Sequence, residues 1–491
     1  MSLQDLPPEL TERVVLLLPL PDISSLRLTN KCLALKVAQR HLKASFRTKR
    51  VELTEQRLHS FVAITASGGL GCLLQDLTLV VPVYNTSALA ARLKNKSAQF
   101  PKLNEDGGCY GILWRDLTEV ELRQTELDLV ALQDKSAQLL NFQRQQRDLQ
   151  LLNQAFSNLA AHGASLHVLR GEVEIYQDDT TTPLLPMFGG QGHPIWASAA
   201  QLVLTSFRSL AACGLPVQSL DLFNSIRMQC CSLSCSELGS VDFGSVGLIS
   251  SLSHLVELSL RISDRHVRDQ THQTFDEEPL ENFDGLRSLL RSCSSIRKLD
   301  LAIFSRVYVK EQNAQHGRII RTLGESEMRR LECLTLQGFV FTEHELLTSL
   351  RGFGALRSLS LRFINLKDGS FKPVFDYCTI EAAMEEMELD DLFENVMVEF
   401  EPPWVVHARP SILETKSGAI HPGLRASYRR PSHDATSYQI KYHRRGGRSM
   451  DTPSTRAWNQ VRKNRFGPLP GTGKPSCLQP YFHVGQLWRS R

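Results

Sequence analysis

IRKLDL, residues 296–301, sets apolar side chains at its first, fourth and sixth positions, and the last two flank a single polar residue. Alternation of that kind marks a short β-strand with one buried face. The same apolar-x-x-apolar-x-apolar hexad recurs as LQDLTL (74–79), LTEVEL (117–122), VQSLDL (217–222), LVELSL (255–260), LECLTL (331–336) and LRSLSL (356–361). MEEMEL (384–389) fits with methionine in two places, and LHVLRG (166–171) fits in its first half only. From Leu222 onward the last apolar positions lie 38, 41, 35, 25 and 28 residues apart. Helix-like stretches fill the intervals. In TEHELLTSLRGF (342–353), Thr342 and Glu345 form a capping box, and Leu346, Leu347 and Leu350 line one face.

Strand and helix alternating at such distances resemble a leucine-rich-repeat array. Regular repeats run about 20–29 residues, so the last two intervals conform and the longer ones need insertions. The Asn or Cys that usually stands three places after the last leucine is replaced by Ser225, Phe304, Phe339 and Ile364. The expected fold class is therefore α/β, with an irregular leucine-rich-repeat solenoid over residues 47–401. Such strands hide their leucines and turn the intervening residues onto one shared surface. Asp221, Glu257, Arg261, Lys298, Asp300, Gln337, Arg362 and Glu388 are the expected target-binding residues on that surface. Mixed polar side chains with few aromatics suit a protein partner better than a small-molecule pocket.

The opening segment, LQDLPPELTERVVLLLPLPDISSLRLTN (3–30), is rich in leucine before anything has been built to bury it. Pro7 and Pro8 sit where a helix starts, because proline in the first turn forfeits no intrahelical hydrogen bond. Leu10, Val14, Leu17 and Leu18 then fall on one helical face. Pro19 and Pro21 end that helix, Asp22 can cap a second one carrying Ile23 and Leu26, and Leu35, Ala38, Leu42 and Phe46 pattern a third. Three short helices enclose too little interior for so many leucines. Leu6-Pro7-x-Glu9-Leu10, Val14, Leu18, Asp22-Ile23, Leu26-Arg27 and Asn30-Lys31 resemble the F-box in order and spacing. The tryptophan that many F-boxes carry near the positions of Cys32 or Leu33 is absent. The resemblance implies a three-helix module over residues 1–46 that docks on the Skp adaptor of a cullin-based ubiquitin ligase. It assigns the adaptor contact to Leu6, Pro7, Leu10, Val14, Leu18 and Leu26. The alternative is a scaffold without a ligase, whose N-terminal helices merely cap the solenoid.

Composition limits the remaining readings. The 491 residues allow roughly three domains, and 42% apolar with 22% charged residues is ordinary for a folded chain. No run approaches the ~18 apolar residues of a membrane helix. Val14 to Leu20 follows Asp5, Glu9 and Glu12 rather than a basic segment, so no signal peptide and no membrane partner are expected. Eleven irregularly spaced cysteines suit a reducing compartment, cytoplasmic or nuclear. Enzyme motifs are missing. GPLPGTGKPS (467–476) departs from a phosphate loop at Thr472 and Pro475, and QCCSLSC (229–235) lacks a second ligand pair at zinc spacing. The expectation is a non-catalytic chain with no metal and no cofactor.

Charge is unevenly spread. Residues 401–491 hold 16 Lys plus Arg against 4 Asp plus Glu, so the chain total of +4 leaves −8 on the rest. Residues 381–401 carry nine acidic side chains, with no Lys or Arg between Lys372 and Arg409, and could receive the basic tail or a basic substrate. The tail from residue 402, rich in Pro, Gly, Ser and Arg, is expected to be mostly disordered. SYQIKY (437–442) alternates like one added strand. Arg-rich runs with interspersed aromatics also admit nuclear import or contact with nucleic acid.

Overall fold

The computed structural model describes residues 5–37, 40–66, 69–84, 86–103, 109–176, 192–224, 232–263, 284–304, 313–325, 328–382, 384–390, 392–394, 396–400, 425–429 and 442–444. The chain opens with α1 (Pro8–Val15), α2 (Leu20–Thr29), α3 (Lys31–Val37) and α4 (Arg40–Arg47), followed by β1 (Thr48–Glu52), α5 (Glu55–Ala66) and β2 (Asp76–Tyr84). Next come α6 (Thr86–Asn95), β3 (Ser97–Leu103), β4 (Cys109–Asp116), α7 (Glu119–Arg144), α8 (Arg147–Ala161), β5 (Leu166–Tyr176), α9 (Gly192–Cys213) and β6 (Val217–Leu222). Then follow β7 (Leu233–Ser234), α10 (Cys235–Leu238), α11 (Val246–Leu252), β8 (Glu257–Ser263), α12 (Asp284–Ser292), β9 (Lys298–Phe304) and α13 (Asn313–Glu325). The last portion is β10 (Cys333–Gln337), β11 (Val340–Thr342), α14 (Glu343–Arg351), β12 (Ser358–Arg362), β13 (Asn365–Asp368), α15 (Lys372–Asp376), β14 (Glu386–Asp390), β15 (Phe393–Glu394), β16 (Val396–Phe400), β17 (Arg425–Arg429) and β18 (Tyr442–Arg444).

The fold is mixed α/β, dominated by one large parallel sheet. Among the described residues its order is β1-β2-β5-β6-β8-β9-β10-β12-β14-β17, with β7 beside β8. The strands follow chain order, and every pair is parallel except β14 with β17. Parallel neighbours need a crossover, and the helices between strands supply it while covering the leucine face. One register line joins Leu77, Leu169, Leu220, Leu258, Leu299, Leu334, Leu359 and Met387. A second joins Leu79, Gly171, Leu222, Leu260, Leu301, Leu336, Leu361 and Leu389. All are buried, in one cluster with Phe156 of α8, Phe207 of α9, Leu252 of α11, Leu289 of α12, Ile320 of α13 and Leu350 of α14. Burial of a leucine contributes about 1.5–3 kcal/mol, so these two lines are the main support of the sheet.

Gly171 explains why LHVLRG loses its last leucine. A Cβ there would lie 2.9 Å from Cδ2 of Leu202 on α9 and 3.3 Å from Cδ2 of Leu222. Leu202 fills the space that the missing side chain would take, and the strand runs on unbroken to Tyr176. Gly171→Leu is therefore expected to lose about 1–3 kcal/mol by overpacking, read as a lower urea midpoint. A gain in stability would show that the gap is real. α11 approaches α9 more closely still at Gly247, whose Cβ would stand 1.9 Å from the Ala211 carbonyl oxygen.

β10 and β12 end in a similar turn. After β10 and β12 the chain reverses through a left-handed residue, Gly338 at φ 83° and Phe363 at φ 59°. It then enters short strands of a second sheet, ordered β11-β13-β15-β16-β18 among the described residues. The backbone ladder continues around the corner, with Gly338 N–H donating to the Arg362 carbonyl and Phe363 N–H to that of Asp390. Phenylalanines fill the interior at these corners. Phe339 stacks on Phe341 at 5.2 Å, Phe363 meets Phe393 edge-on at 6.0 Å, and Phe371 stacks on Phe375 at 5.5 Å. Phe339 and Ile364, which replace the usual Asn or Cys, are fully buried.

Three expectations need correction. LTEVEL (117–122) is no strand: Thr118 accepts from Glu121 N–H at 3.3 Å while Glu121 accepts from Thr118 N–H at 2.9 Å, and this capping box starts α7. Among the described residues the N-terminal segment has four helices where three were expected: the third pattern falls on α3 and α4, with residues 38–39 between them outside the described residues. Asn30 is extended and its side chain accepts from Cys32 N–H at 2.6 Å, which ends α2 and begins α3. The second helix also starts at Leu20, before Asp22, because Pro21 is tolerated in its first turn. The capping box of Thr342 and Glu345 forms as expected, with Leu346 and Leu350 buried. In the tail, residues 425–429 and 442–444 are strands, and the rest lies outside the described residues.

Candidate interaction surfaces

Opposite the leucine lines, register assembles a polar face. One rung runs Arg50, Thr78, Arg170, Asp221, Ser259, Asp300, Thr335, Ser360 and Glu388. The neighbouring rung toward the strand C-termini holds Glu172 on β5, then Arg261, Ala302, Gln337, Arg362 and Asp390. The rung before it holds Ser219, Glu257, Lys298, Cys333, Ser358 and Glu386. All eight residues expected on the target-binding surface thus share this face, because each lies an even number of positions from the same rung. They differ in access. Glu388 and Lys298 are exposed, Asp221, Glu257, Asp300, Gln337 and Arg362 are half-buried, and Arg261 is buried at 5% exposure.

Charges on this face pair across strands. Arg50 donates to Glu172 at 2.8 Å and Glu174 at 2.7 Å, reaching over β2, which offers only Val80 and Pro82 there. Lys298 meets Glu257 at 2.5 Å and Arg362 meets Glu388 at 2.8 Å. Exposed pairs of this kind contribute about 0–1 kcal/mol each, and their greater effect is to fix the side chains in one arrangement. Near the centre Asp221 lies 3.9 Å from Arg170 and accepts from the Asn224 backbone N–H at 3.1 Å.

Asp300 is the most enclosed acid of the group. Burial raises its carboxyl above the usual carboxylate range, against the Asn224 hydrogen bond and the charges of Arg362 and Arg261; Asp221 raises it further. The folded chain therefore holds this proton more tightly than the unfolded chain. That contribution to stability is present below the ordinary carboxylate range and is lost as pH rises through the raised value. Asp300→Asn removes the titration. Relative to wild type, the variant is expected to gain in unfolding midpoint as pH rises from the ordinary carboxylate range toward neutrality. A flat or opposite difference between urea midpoints at pH 4 and pH 7 would refute the assignment.

The second surface is at the N-terminus. Val15, Ile23, Val37 and Leu42 form a core of their own, with Leu18, Leu26 and Phe46 packed against it. It is separate from the cluster beneath the sheet. Lys36 Nζ donates to the Leu6 carbonyl at 2.8 Å, and Glu12 accepts from His41 N–H at 2.6 Å, which holds α1 against α3 and α4. What the small core cannot take remains outside. Leu17 is 85% and Leu28 88% exposed, and Leu10, Leu16 and Leu35 are exposed as well. Of the residues expected to contact an adaptor, Pro7 and Leu10 are exposed, and Leu6, Val14, Leu18 and Leu26 are half-buried.

The sequence pattern missed Leu16, Leu28 and Leu35 as surface residues. Their signal was surplus: more leucines than one face of three short helices accommodates. The expected face of Leu10, Val14, Leu17 and Leu18 is not the inward one: Val15 occupies the interior and Leu17 is exposed. Among the described residues no group of His, Cys, Asp and Glu is placed to hold a metal ion, and no helix is long and apolar enough to cross a membrane. Burial pushes the thiols of Cys293 and Cys378 up to about 12, which keeps them un-ionised at neutral pH. GPLPGTGKPS, Cys230 and Cys231 lie outside the described residues. No protein-family profile and no curated protein matches the chain.

Proposed function

We propose that the chain is a non-catalytic substrate receptor of a Skp–cullin–F-box ubiquitin ligase, acting in the cytoplasm or nucleus. The N-terminal helices are an F-box that docks on the Skp adaptor. The body is an irregular leucine-rich-repeat solenoid that holds a protein target on its polar face. The observation that carries this reading is the exposure of Leu17 and Leu28, 85% and 88%, on a helical unit with its own core. Several large apolar side chains left in water by one small helical unit are candidates for contact with another chain. The chain-order parallel sheet with its two leucine lines supports the repeat assignment. Function would then follow from tethering, which raises the local concentration of a target beside activated ubiquitin.

Co-purification of the full chain with recombinant Skp adaptor tests the reading. Wild type is expected to retain the adaptor and Leu6→Ala/Pro7→Ala to lose it while the body stays folded. Retention by the double variant would remove the assignment. A second reading, a scaffold capped by these helices, has one observation in its favour: α4 abuts the first strand. Gln75 N–H donates to the Arg47 carbonyl at 2.8 Å, and Lys49 lies over the Phe46 ring at 5.0 Å. Deleting residues 1–45 separates the two. A cap predicts aggregation of the body, whereas a docking module predicts a body that melts within a few degrees of the full chain.

A further inference from the structure

The acidic end of the sheet is closed by the chain's own basic tail. β14 carries Glu386, Glu388 and Asp390, and β17 pairs with it antiparallel. The register sets Arg429 opposite Glu386, Ser427 opposite Glu388 and Arg425 opposite Asp390. Residues directly opposite in an antiparallel pair share a face, where unlike charges favour the pairing. The same happens at the second sheet, where β18 closes β16 and His443 stands opposite Glu399. An uncovered β14 would offer a row of backbone donors and acceptors to any extended chain. Its carboxylates restrict that offer to a basic one, in a stretch with no Lys or Arg between Lys372 and Arg409.

We infer that the outer edge of β14 is a strand-addition site for a basic, extended segment of a partner protein, and that residues 425–429 hold it in cis as an exchangeable plug. Strand addition divides the work in the usual way: the backbone ladder supplies affinity, and alternate side chains supply choice. Here the choice is arginine at two positions four residues apart, the spacing of Arg425 and Arg429. A strand of five residues is short enough to open readily. Because the plug belongs to the same chain, its effective concentration is on the order of a millimolar, so a partner must outbind it or find it displaced. The site is distinct from the N-terminal leucines and does not depend on whether a ligase assembles.

The test uses the full chain and a fluorescein-labelled peptide of residues 423–431, followed by anisotropy. Ser427→Pro removes a backbone donor from the middle of the plug, and Arg425→Glu/Arg429→Glu reverses its charge. Each is expected to raise peptide affinity at least about tenfold over wild type. Adding Glu386→Lys/Asp390→Lys to Ser427→Pro is expected to abolish that gain. Hydrogen exchange at residues 386–390 should be faster in Ser427→Pro and slow again when the peptide is added. Equal affinity for wild type and both opened variants, or a gain that survives the charge change on β14, would overturn the inference.

Discussion

Leu301→Ala is expected to destabilise the chain by about 2–5 kcal/mol, one of the two largest effects in this molecule. Leu301 is fully buried in the middle of the second leucine line, between Leu260 on β8 and Leu336 on β10. Removing it takes away the transfer free energy of the side chain. It also leaves a cavity between two neighbours that are themselves pinned by register, so the site collapses only in part. Thr335→Ala, on the polar face of β10 beside the strand that carries Arg362, should stay within about 0.5 kcal/mol. Urea unfolding followed by tryptophan fluorescence and circular dichroism compares them. Equal midpoints for the two variants would show that the leucine lines do not carry the sheet.

The second large effect concerns binding. Leu17→Asp/Leu28→Asp places charge on two side chains that already face water, so the fold should melt within a few degrees of wild type. A docked partner would have to desolvate both carboxylates without compensation, which costs several kcal/mol. Adaptor affinity should therefore fall at least about a hundredfold, the equivalent of roughly 2.7 kcal/mol. Stability and binding respond oppositely in the two experiments. Leu301→Ala leaves the N-terminal core of Val15, Ile23, Val37 and Leu42 untouched, and Leu17→Asp/Leu28→Asp leaves the leucine lines untouched.

The sheet was legible from sequence wherever strand spacing alone decides structure. IRKLDL, LVELSL and LECLTL could be placed because two apolar residues two apart read as a buried face whatever surrounds them. Reading failed where a neighbour supplies the deciding group. LTEVEL shows the same spacing but begins a helix, since Thr118 and Glu121 satisfy one another's backbone and the helical turn wins over the strand. LHVLRG looked incomplete because Leu202, on α9, occupies the place of a residue the strand does not have. Phe339 and Ile364 looked like departures from a repeat pattern and are fully buried, Phe339 against the ring of Phe341.

The polar face followed from parity, so Asp221, Asp300 and Glu388 could be set on one surface from the hexads alone. The burial of Arg261 could not, because it depends on the curvature and neighbours of the face. At the N-terminus the surplus of leucine was visible, but not which ones are left over. Val15 is drawn inward and Leu17 outward by the angle at which α1 meets α3 and α4, a tertiary quantity. The tail is the sharpest case. Arg425 and Arg429 read as part of a disordered basic tail until a second strand with matching acidic spacing is set beside them.

The most direct test of the proposed function is calorimetric titration of recombinant Skp adaptor into the full chain, wild type and Leu17→Asp/Leu28→Asp. A saturable one-to-one isotherm for wild type, lost in the variant while its melting curve is unchanged, is the expected result. No heat of binding with wild type, or the same isotherm with the variant, would contradict the assignment of the N-terminal helices as a docking module.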